Sequence, residues 1–277
     1  MNVSLVVTTY NWPEALEMTL RSVMAQSRMP DEVVVADDGS GPETSRTVER
    51  VLARGKTRWC HVRHDDQGAR QSRIKNLAVS HAKGSYLIFV DHDVVLHPHF
   101  VHDHISMARK GAFLQGKRLL LSRESTERIL AKGTFLAPGP WMRGLGNRKN
   151  AFHLPRIGAL LSRTKPFEVT LRGCNLSMFR EDFLMVDGFD EVFDGSWGRE
   201  DSDICYRLFH SGVQVRILWF LAIQYHLYHG RLSDWDRERL DSELKRNLEE
   251  KRIRAVRGYS TLSGEGGVIA RSGACGD

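Results

Sequence analysis

Two carboxylates one residue apart close the run Tyr86–Asp93, Tyr-Leu-Ile-Phe-Val-Asp-His-Asp. Held side by side, Asp91 and Asp93 repel each other unless a cation lies between them. A hard divalent ion, with water and substrate phosphate filling the rest of its shell, suits such a pair. An isolated Asp-x-Asp also fits a solvated acidic turn, so the rest of the chain must decide. A second acidic group, Glu200-Asp201-Ser202-Asp203, follows Trp197-Gly198-Arg199. Taken alone it reads as a helix start whose carboxylates the macrodipole stabilises.

The elements that must carry these groups follow from the hydrophobic pattern. Tyr86–Val90 is apolar, aromatic and β-branched without polar alternation, which predicts a strand covered on both faces. In an open α/β sheet, ligands bind beyond the carboxyl ends of such strands. Asn2–Thr9 has the same pattern and is stopped by Tyr10-Asn11-Trp12-Pro13. Pro13 suits the first turn of a helix over Glu14–Met24, with Asn11 or Trp12 near the cap. Val33–Ala36 predicts a second strand ending in Asp37-Asp38-Gly39-Ser40-Gly41, where glycine permits a tight turn; both Asp side chains are expected in the crevice. Thr44–Leu52 and Gly68–Lys83 have helical spacing, and His61–Arg63 reads as a short strand. Strands alternating with helices predict an α/β fold, a mostly parallel central sheet flanked by helices.

Farther on, His97–Arg109, Ser122–Lys132, a segment starting near Arg180 and Ile204–His210 read as helices. Leu136–Arg148 is a Pro- and Gly-rich loop, and Val213–Ile217 and Trp219–Ile223 are strand-like. Leu232–Arg257 is a charged C-terminal helix within 231–257, and the Gly- and Ser-rich 258–277 reads as a flexible tail.

Composition narrows the function classes. No apolar run approaches the ~20 residues of a membrane span. No basic region precedes an apolar core at the N-terminus, so a cytoplasmic protein is expected. Cys60, Cys174, Cys205 and Cys275 form no Cys-x-x-Cys pair, which argues against a disulfide framework and a cysteine zinc site. Lys117–Arg172 holds twelve basic residues against Glu124, Glu127 and Glu168, more net positive charge than the +6 of the whole chain. That is a solvated face, or a seat for an anionic acceptor or an anionic membrane surface. Nucleic acid is not expected as a partner, because no helix-turn-helix, zinc site or interleaved aromatics accompany the charge.

Thr8-Thr9-Tyr10-Asn11, Asp37-Asp38-Gly39-Ser40, and Lys75-Asn76 ahead of Ala82-Lys83-Gly84-Ser85-Tyr86 and Asp91-His92-Asp93 span the first hundred residues. In that order and spacing they resemble the family 2 glycosyltransferases. The resemblance implies a GT-A (Rossmann-like) fold and a nucleotide-sugar donor, with UDP-sugars the default. It implies that Thr9, Tyr10, Asn11, Asp38 and Lys75 bind the donor and that Asp91 faces its ribose or sugar. Asp93 would hold Mn²⁺ or Mg²⁺ on the diphosphate. One departure is visible, since many members carry a further acidic residue where this chain has Val94-Val95.

Trp197-Gly198-Arg199-Glu200-Asp201 is similar to the acceptor motif of the β-1,4-galactosyltransferase group. By that likeness Trp197 stacks on a sugar, Gly198, Glu200 and Asp201 bind the acceptor, and Asp201 is the general base with Glu200 beside it. The same families place a third metal ligand at His226, with His229 the alternative. The expectation is an inverting hexosyltransferase of polysaccharide or cell-envelope synthesis that acts on a glycan or lipid-linked glycan. Residues 1–96 would form its nucleotide-sugar half, and 97–230 the acceptor-binding and catalytic half of the same domain. Two other classes compete. A metal-dependent nucleotidyltransferase needs a Gly-rich signature with a basic residue near the first strand, which Val3–Pro13 lacks. A non-catalytic carbohydrate- or membrane-binding protein on the same scaffold is disfavoured by intact Asp93 and Asp201.

Overall fold

The structure is a computed structural model and describes residues 1–133, 141, 143–165, 173–230, 236–263 and 266–272. The first half runs β1 (Val3–Thr9), α1 (Pro13–Met24), β2 (Glu32–Asp37), α2 (Pro42–Leu52), β3 (Arg58–Arg63), α3 (Gln71–His81) and β4 (Tyr86–Asp91). Then come β5 (Val94–Leu96), α4 (Phe100–Met107), β6 (Ala112–Gln115), β7 (Arg118–Leu121), α5 (Arg123–Lys132), β8 (Leu145–Gly146), α6 (Pro155–Leu161) and β9 (Thr164–Lys165). The last part holds β10 (Leu176–Phe179), α7 (Arg180–Met185), α8 (Glu200–His210), β11 (Gln214–Ile217), β12 (Gln224–His226), α9 (Arg237–Glu249) and β13 (Gly267–Arg271).

Nine strands form the main sheet in the order β13-β3-β2-β1-β4-β10-β6-β11-β9. β3, β2, β1 and β4 are parallel, and the registers Thr8↔Asp91 and Thr9↔Asp37 bring three strand ends to one edge. β10 runs antiparallel to both β4 and β6, so the chain just before it, near Asn175, also arrives at that edge. A four-stranded sheet, β5-β12-β7-β8, stands beside it.

The unbroken apolar strands are buried on both faces, as their pattern predicts. Successive residues alternate between two cores. Leu5, Val7, Val33, Val35, Ile88 and Val90 pack against α1, α2 and α4. Val6, Val34, Ala36, Leu87 and Phe89 pack against α3, α7 and α8. This is the helix-flanked, mostly parallel α/β sheet expected from the sequence.

Several local expectations are corrected. Trp219–Ile223 is not a strand; Phe220 and Ala222 adopt left-handed backbone, which no strand accommodates, and pairing starts only at Gln224. The helix expected from Ile204 already begins at Glu200. That expected over His97–Arg109 covers only Phe100–Met107. The C-terminal helix is Arg237–Glu249; 231–235 lie outside the described residues. The tail read as flexible contains β13, whose backbone completes the edge left open by β3; 273–277 lie outside the described residues. Within Leu136–Arg148, residues 136–140 and 142 lie outside them too, and Leu145–Gly146 pairs with β7.

A polar chain crosses the core below the sheet edge. Tyr86 Oη and Ser177 Oγ are 2.7 Å apart, Ser177 Oγ and His104 Nδ1 2.8 Å, and His104 Nε2 and Asn175 Oδ1 2.9 Å. Asn175 Nδ2 donates to the Lys117 and Ala222 carbonyls, so its Oδ1 must accept from His104 Nε2. His104 is then fully hydrogen-bonded as a neutral imidazole, with the Ser177 hydroxyl on its Nδ1. Burial pushes it down to about 4, against the Asn175 bond; burial and His153 push His97 down to about 4 as well. The unfolded chain protonates near ~6.5, so stability is full above that value and falls as pH drops from there toward about 4. Thermal melts at about pH 7 and about pH 5 should show this loss, and His104→Gln should shrink the difference. An unchanged difference in the variant would remove His104 as its source.

Candidate active site

β4 delivers Asp91 to the sheet edge, and the turn after it carries Asp93 before β5 starts at Val94. β12 pairs antiparallel with β5 and brings His226 opposite Val94. The chain then curls so that His226 Nε2 lies 3.3 Å and His229 Nε2 3.2 Å from Asp93 Oδ2. Both imidazoles donate from Nδ1 to a backbone carbonyl, Leu227 O and Gly230 O, each at 2.8 Å. A carbonyl only accepts, so Nδ1 holds the hydrogen in each ring. Burial lowers His226 despite Asp93, which keeps it neutral with a bare Nε2 lone pair turned to the carboxylate. Asp93 Oδ1 is buried without a hydrogen-bond partner. Two Nε2 atoms and a carboxylate converging on one point, with an orphaned carboxylate oxygen, are what a cation would satisfy. One donor atom from each of the three residues lies within 4.8 Å of the others. Where the sequence left His226 and His229 as alternatives, the fold brings both to Asp93.

The second cluster forms around Lys75. α3 has no side-chain cap of its own. Asp194, far along the chain, accepts from Ser72 N (2.9 Å) and Arg73 N (3.3 Å) and fixes the start of that helix. One turn on, the Lys75 ammonium is buried 3.0 Å from Glu200 Oε1 and 3.0 Å from Asp201 Oδ1. Burial alone would lower Lys75, but Asp201, Glu200 and Asp91 outweigh it and hold the ammonium above its ordinary value. Burial and then Asp201 push Glu200 up, against the pull of Lys75. Asp201 Oδ2 accepts from Gly173 N at 2.8 Å. Any Cβ at residue 173 would meet Asp201 Oδ1 at 1.9 Å, so glycine is required there. Each Asp201 oxygen keeps lone-pair capacity beyond these bonds, and its side chain is 24% exposed.

Asp91 links the two clusters electrostatically. Burial and then Asp93 push its carboxyl up, Lys75 pulls it down, and Asp201 and Glu200 add to the rise.

The glycosyl transferase family 2 model matches residues 4–185, well over half of the chain. The chain belongs to that family. A second model, described as the N-terminal domain of galactosyltransferase, matches residues 162–230, which contain Asp201 and His226. Hyaluronan synthase of Pasteurella multocida is 26% identical over 86% of this chain and 26% of its own length. The chain spans only a quarter to a half of the curated relatives it first matches. Among solved structures, TarS of S. aureus with UDP aligns at a TM-score of 0.63 and 19% identity, covering 94% of this chain and 68% of that one. The mannosyltransferase PcManGT of Pyrobaculum calidifontis, with GDP-Man and Mn²⁺, gives 0.58 at 17% identity, covering 83% and 58%. At such identities these two likenesses establish the fold, the mostly parallel sheet that GT-A proteins share.

In this family 2 chain the donor-side candidates gather where β1 and β2 end. Asn11 adopts left-handed backbone and ties the two ends together: its N–H donates to Ser40 Oγ (3.0 Å) and its Oδ1 accepts from Gly41 N (2.9 Å). Tyr10 donates to Asp66 Oδ2 at 3.1 Å, and its ring lies 6.1 Å from that of Trp197, so the donor and acceptor candidates abut. Thr9 Oγ1 is buried without a partner. The adjacent carboxylates Asp37 and Asp38 part company. Asp37 is fully buried on His61 Nε2 (2.8 Å) and Ser40 N (2.8 Å), which corrects the expectation that it opens into the crevice. Asp38 is buried as well, against the same expectation; it meets His64 Nε2 at 2.6 Å and accepts from Arg70 N at 3.0 Å.

Lys75, expected on the donor, is engaged by Glu200 and Asp201. Gly198 and Arg199 adopt left-handed backbone and turn the chain into α8, leaving Trp197 half-buried. Asp203 is structural: it pairs with Arg207 at 2.7 Å and accepts from Asn247 Nδ2 at 2.7 Å, all in the core. Sequence reasoning missed Gly173, His64 and Asp194. Each acts on a residue distant in the chain, and no local spacing announces it.

Proposed function

We propose that this chain moves a hexosyl group, with inversion, from a nucleotide diphosphate sugar to a hydroxyl of a glycan or lipid-linked glycan. The observation that carries the reading is one juxtaposition. Three cation-ready side chains and a partly exposed carboxylate, Asp201, held 3.0 Å from the Lys75 ammonium, both couple to Asp91 at the sheet edge. Asp93, His226 and His229 would hold a divalent ion, which would supply Lewis acidity toward a diphosphate. Two imidazoles in the set lean from Mg²⁺ toward Mn²⁺.

Asp201 receives the proton of the attacking hydroxyl as its oxygen bonds to the anomeric carbon. The bond from that carbon to the diphosphate oxygen breaks, and the diphosphate departs with the electron pair. Lys75 and Gly173 N, each bonded to one carboxylate oxygen, fix the orientation of Asp201. Trp197 offers the acceptor ring a face. Tyr10, Asn11, Thr9 and Asp38 line the donor's nucleoside, and Asp91 its ribose or sugar. Residues 1–96 serve as the donor half and 97–230 as the acceptor half. A UDP donor is supported by the UDP complex of TarS, and a glycan acceptor by the polysaccharide synthase among the relatives. Among the described residues no helix is long and apolar enough to cross a membrane.

The test is a panel of nucleotide-sugars with manganese and no acceptor. Slow hydrolysis of one donor, abolished by chelator, is expected. Donor binding without hydrolysis would point to a carbohydrate-binding protein instead.

A further inference from the structure

The seven residues of α6 are sorted by helical spacing. Gly158 and, one turn later, Ser162 are buried against the protein. Leu154 N donates to Phe220 O at 3.1 Å, Trp219 N donates to Ser162 Oγ at 2.9 Å, and a Cβ at residue 158 would meet Trp219 O at 2.5 Å. The helix is thus clamped to the 219–222 turn that leads into β12 and His226. Ile157, Leu160 and Leu161 stand at i, i+3 and i+4, on a face turned away from that clamp. All three are exposed, Leu160 by 64%, and so are Phe152 and Leu154 just before the helix. Contiguous apolar patches of this kind mark interaction sites.

The charge around the patch narrows the partner. From Arg128 to Phe167 the chain has no acidic residue and eight basic ones. Arg148, Lys149, Arg156 and Arg163 are exposed and have no carboxylate partner among the described residues. Arg156 flanks the apolar stripe by helical spacing. Exposed aliphatic side chains flanked along the chain by cations without a carboxylate partner suit the interface of an anionic bilayer. A glycan would call for several aromatic faces beside polar hydrogen-bonding groups, and single-stranded nucleic acid for a series of stacking aromatics; the patch offers one ring, Phe152, among four aliphatic side chains.

We infer that α6, with Phe152 and Leu154, seats the protein on an anionic lipid surface. Ile157, Leu160 and Leu161 enter the acyl boundary, and Arg148, Lys149, Arg156 and Arg163 meet headgroup phosphates. The clamp to the 219–222 turn then holds the candidate active site at the membrane. This deepens the proposed function by naming its surface, and it rests on that reading only where it takes the acceptor to be lipid-linked.

The test is co-sedimentation of the full chain with phosphatidylcholine vesicles, with and without phosphatidylglycerol. Wild type should pellet with the anionic vesicles alone. The double variant Ile157→Asp/Leu160→Asp should lose at least about tenfold in vesicle affinity, with melting temperature and donor hydrolysis unchanged, because neither side chain touches the site. Arg156→Gln should lose about fivefold, less at high salt, where screening already weakens the contact. Equal binding to neutral vesicles, or wild-type binding by the double variant, would overturn the inference. So would a dimer in sedimentation velocity that the double variant splits, with no vesicle binding, since a second copy would then cover the face. Donor hydrolysis without vesicle binding rejects the lipid surface alone; vesicle binding without donor hydrolysis rejects the proposed activity alone.

Discussion

Asp93→Ala reduces donor turnover to the level of chelated wild type and leaves the melting temperature at or above that of wild type. The two halves of this result have different causes. A Lewis acid on the departing diphosphate contributes several kcal/mol, and each ~1.4 kcal/mol is tenfold in rate, so the loss is about 10³-fold or more. Stability is spared because Asp93 without a cation is a liability. Its Oδ1 is buried and unpartnered, its Oδ2 faces the Nε2 of His226, which burial keeps neutral, and it repels Asp91. Calorimetric titration with Mn²⁺ reads the ligand set without relying on activity: wild type should bind the ion, Asp93→Ala should not, and His229→Ala, which removes the most exposed of the three, should be intermediate. Full turnover in excess chelator would sink the assignment.

The second large effect separates two carboxylates two positions apart. Asp201→Asn keeps size and polarity but cannot take the acceptor's proton, and a positioned base is worth about 10²–10⁴-fold. kcat should fall by that factor while donor affinity stays near wild type, since Asp201 touches Lys75 and Gly173 rather than the donor side. Asp203→Ala should act on folding instead. It leaves the Arg207 guanidinium buried without its carboxylate, a loss of about 3–5 kcal/mol, visible in the melting temperature and in urea unfolding. The informative measurement is kcat, donor Kd and unfolding free energy for both variants. If Asp203→Ala is stable and inactive, or Asp201→Asn turns over within a few-fold of wild type, the base is misassigned.

Much of the first hundred residues was legible because parallel strands buried on both faces write themselves as short apolar runs, a local signal. Val3–Thr9, Glu32–Asp37 and Tyr86–Asp91 emerge where those runs lie, and Pro13 opens α1 as its fixed φ suggests. The pairing of Asp203 with Arg207 is also a local, i,i+4 fact. The family resemblance carried Asp93, Asp201, His226 and His229 onto this chain before any coordinates.

The small sheet escaped the sequence because β5, β7, β8 and β12 are two to four residues long, too short to show a period, and exist only through partners far along the chain. Apolar content alone made Trp219–Ile223 look extended; left-handed backbone at Phe220 and Ala222 is a tertiary decision, made where α6 clamps that turn. Low-complexity composition made the C-terminal tail look mobile, yet backbone hydrogen bonds to an open sheet edge need no particular side chains. Asp37 and Asp38 are chemically identical neighbours. Both are buried, and only strand geometry gives one His61 as its partner and the other His64 and Arg70 N. Residue types could therefore name the carboxylates able to hold a cation or take a proton. Which of them are free to do so depended on long-range partners, Lys75 and Gly173 for Asp201 and two histidines for Asp93, and through-space electrostatics follows distance in the fold rather than distance along the chain.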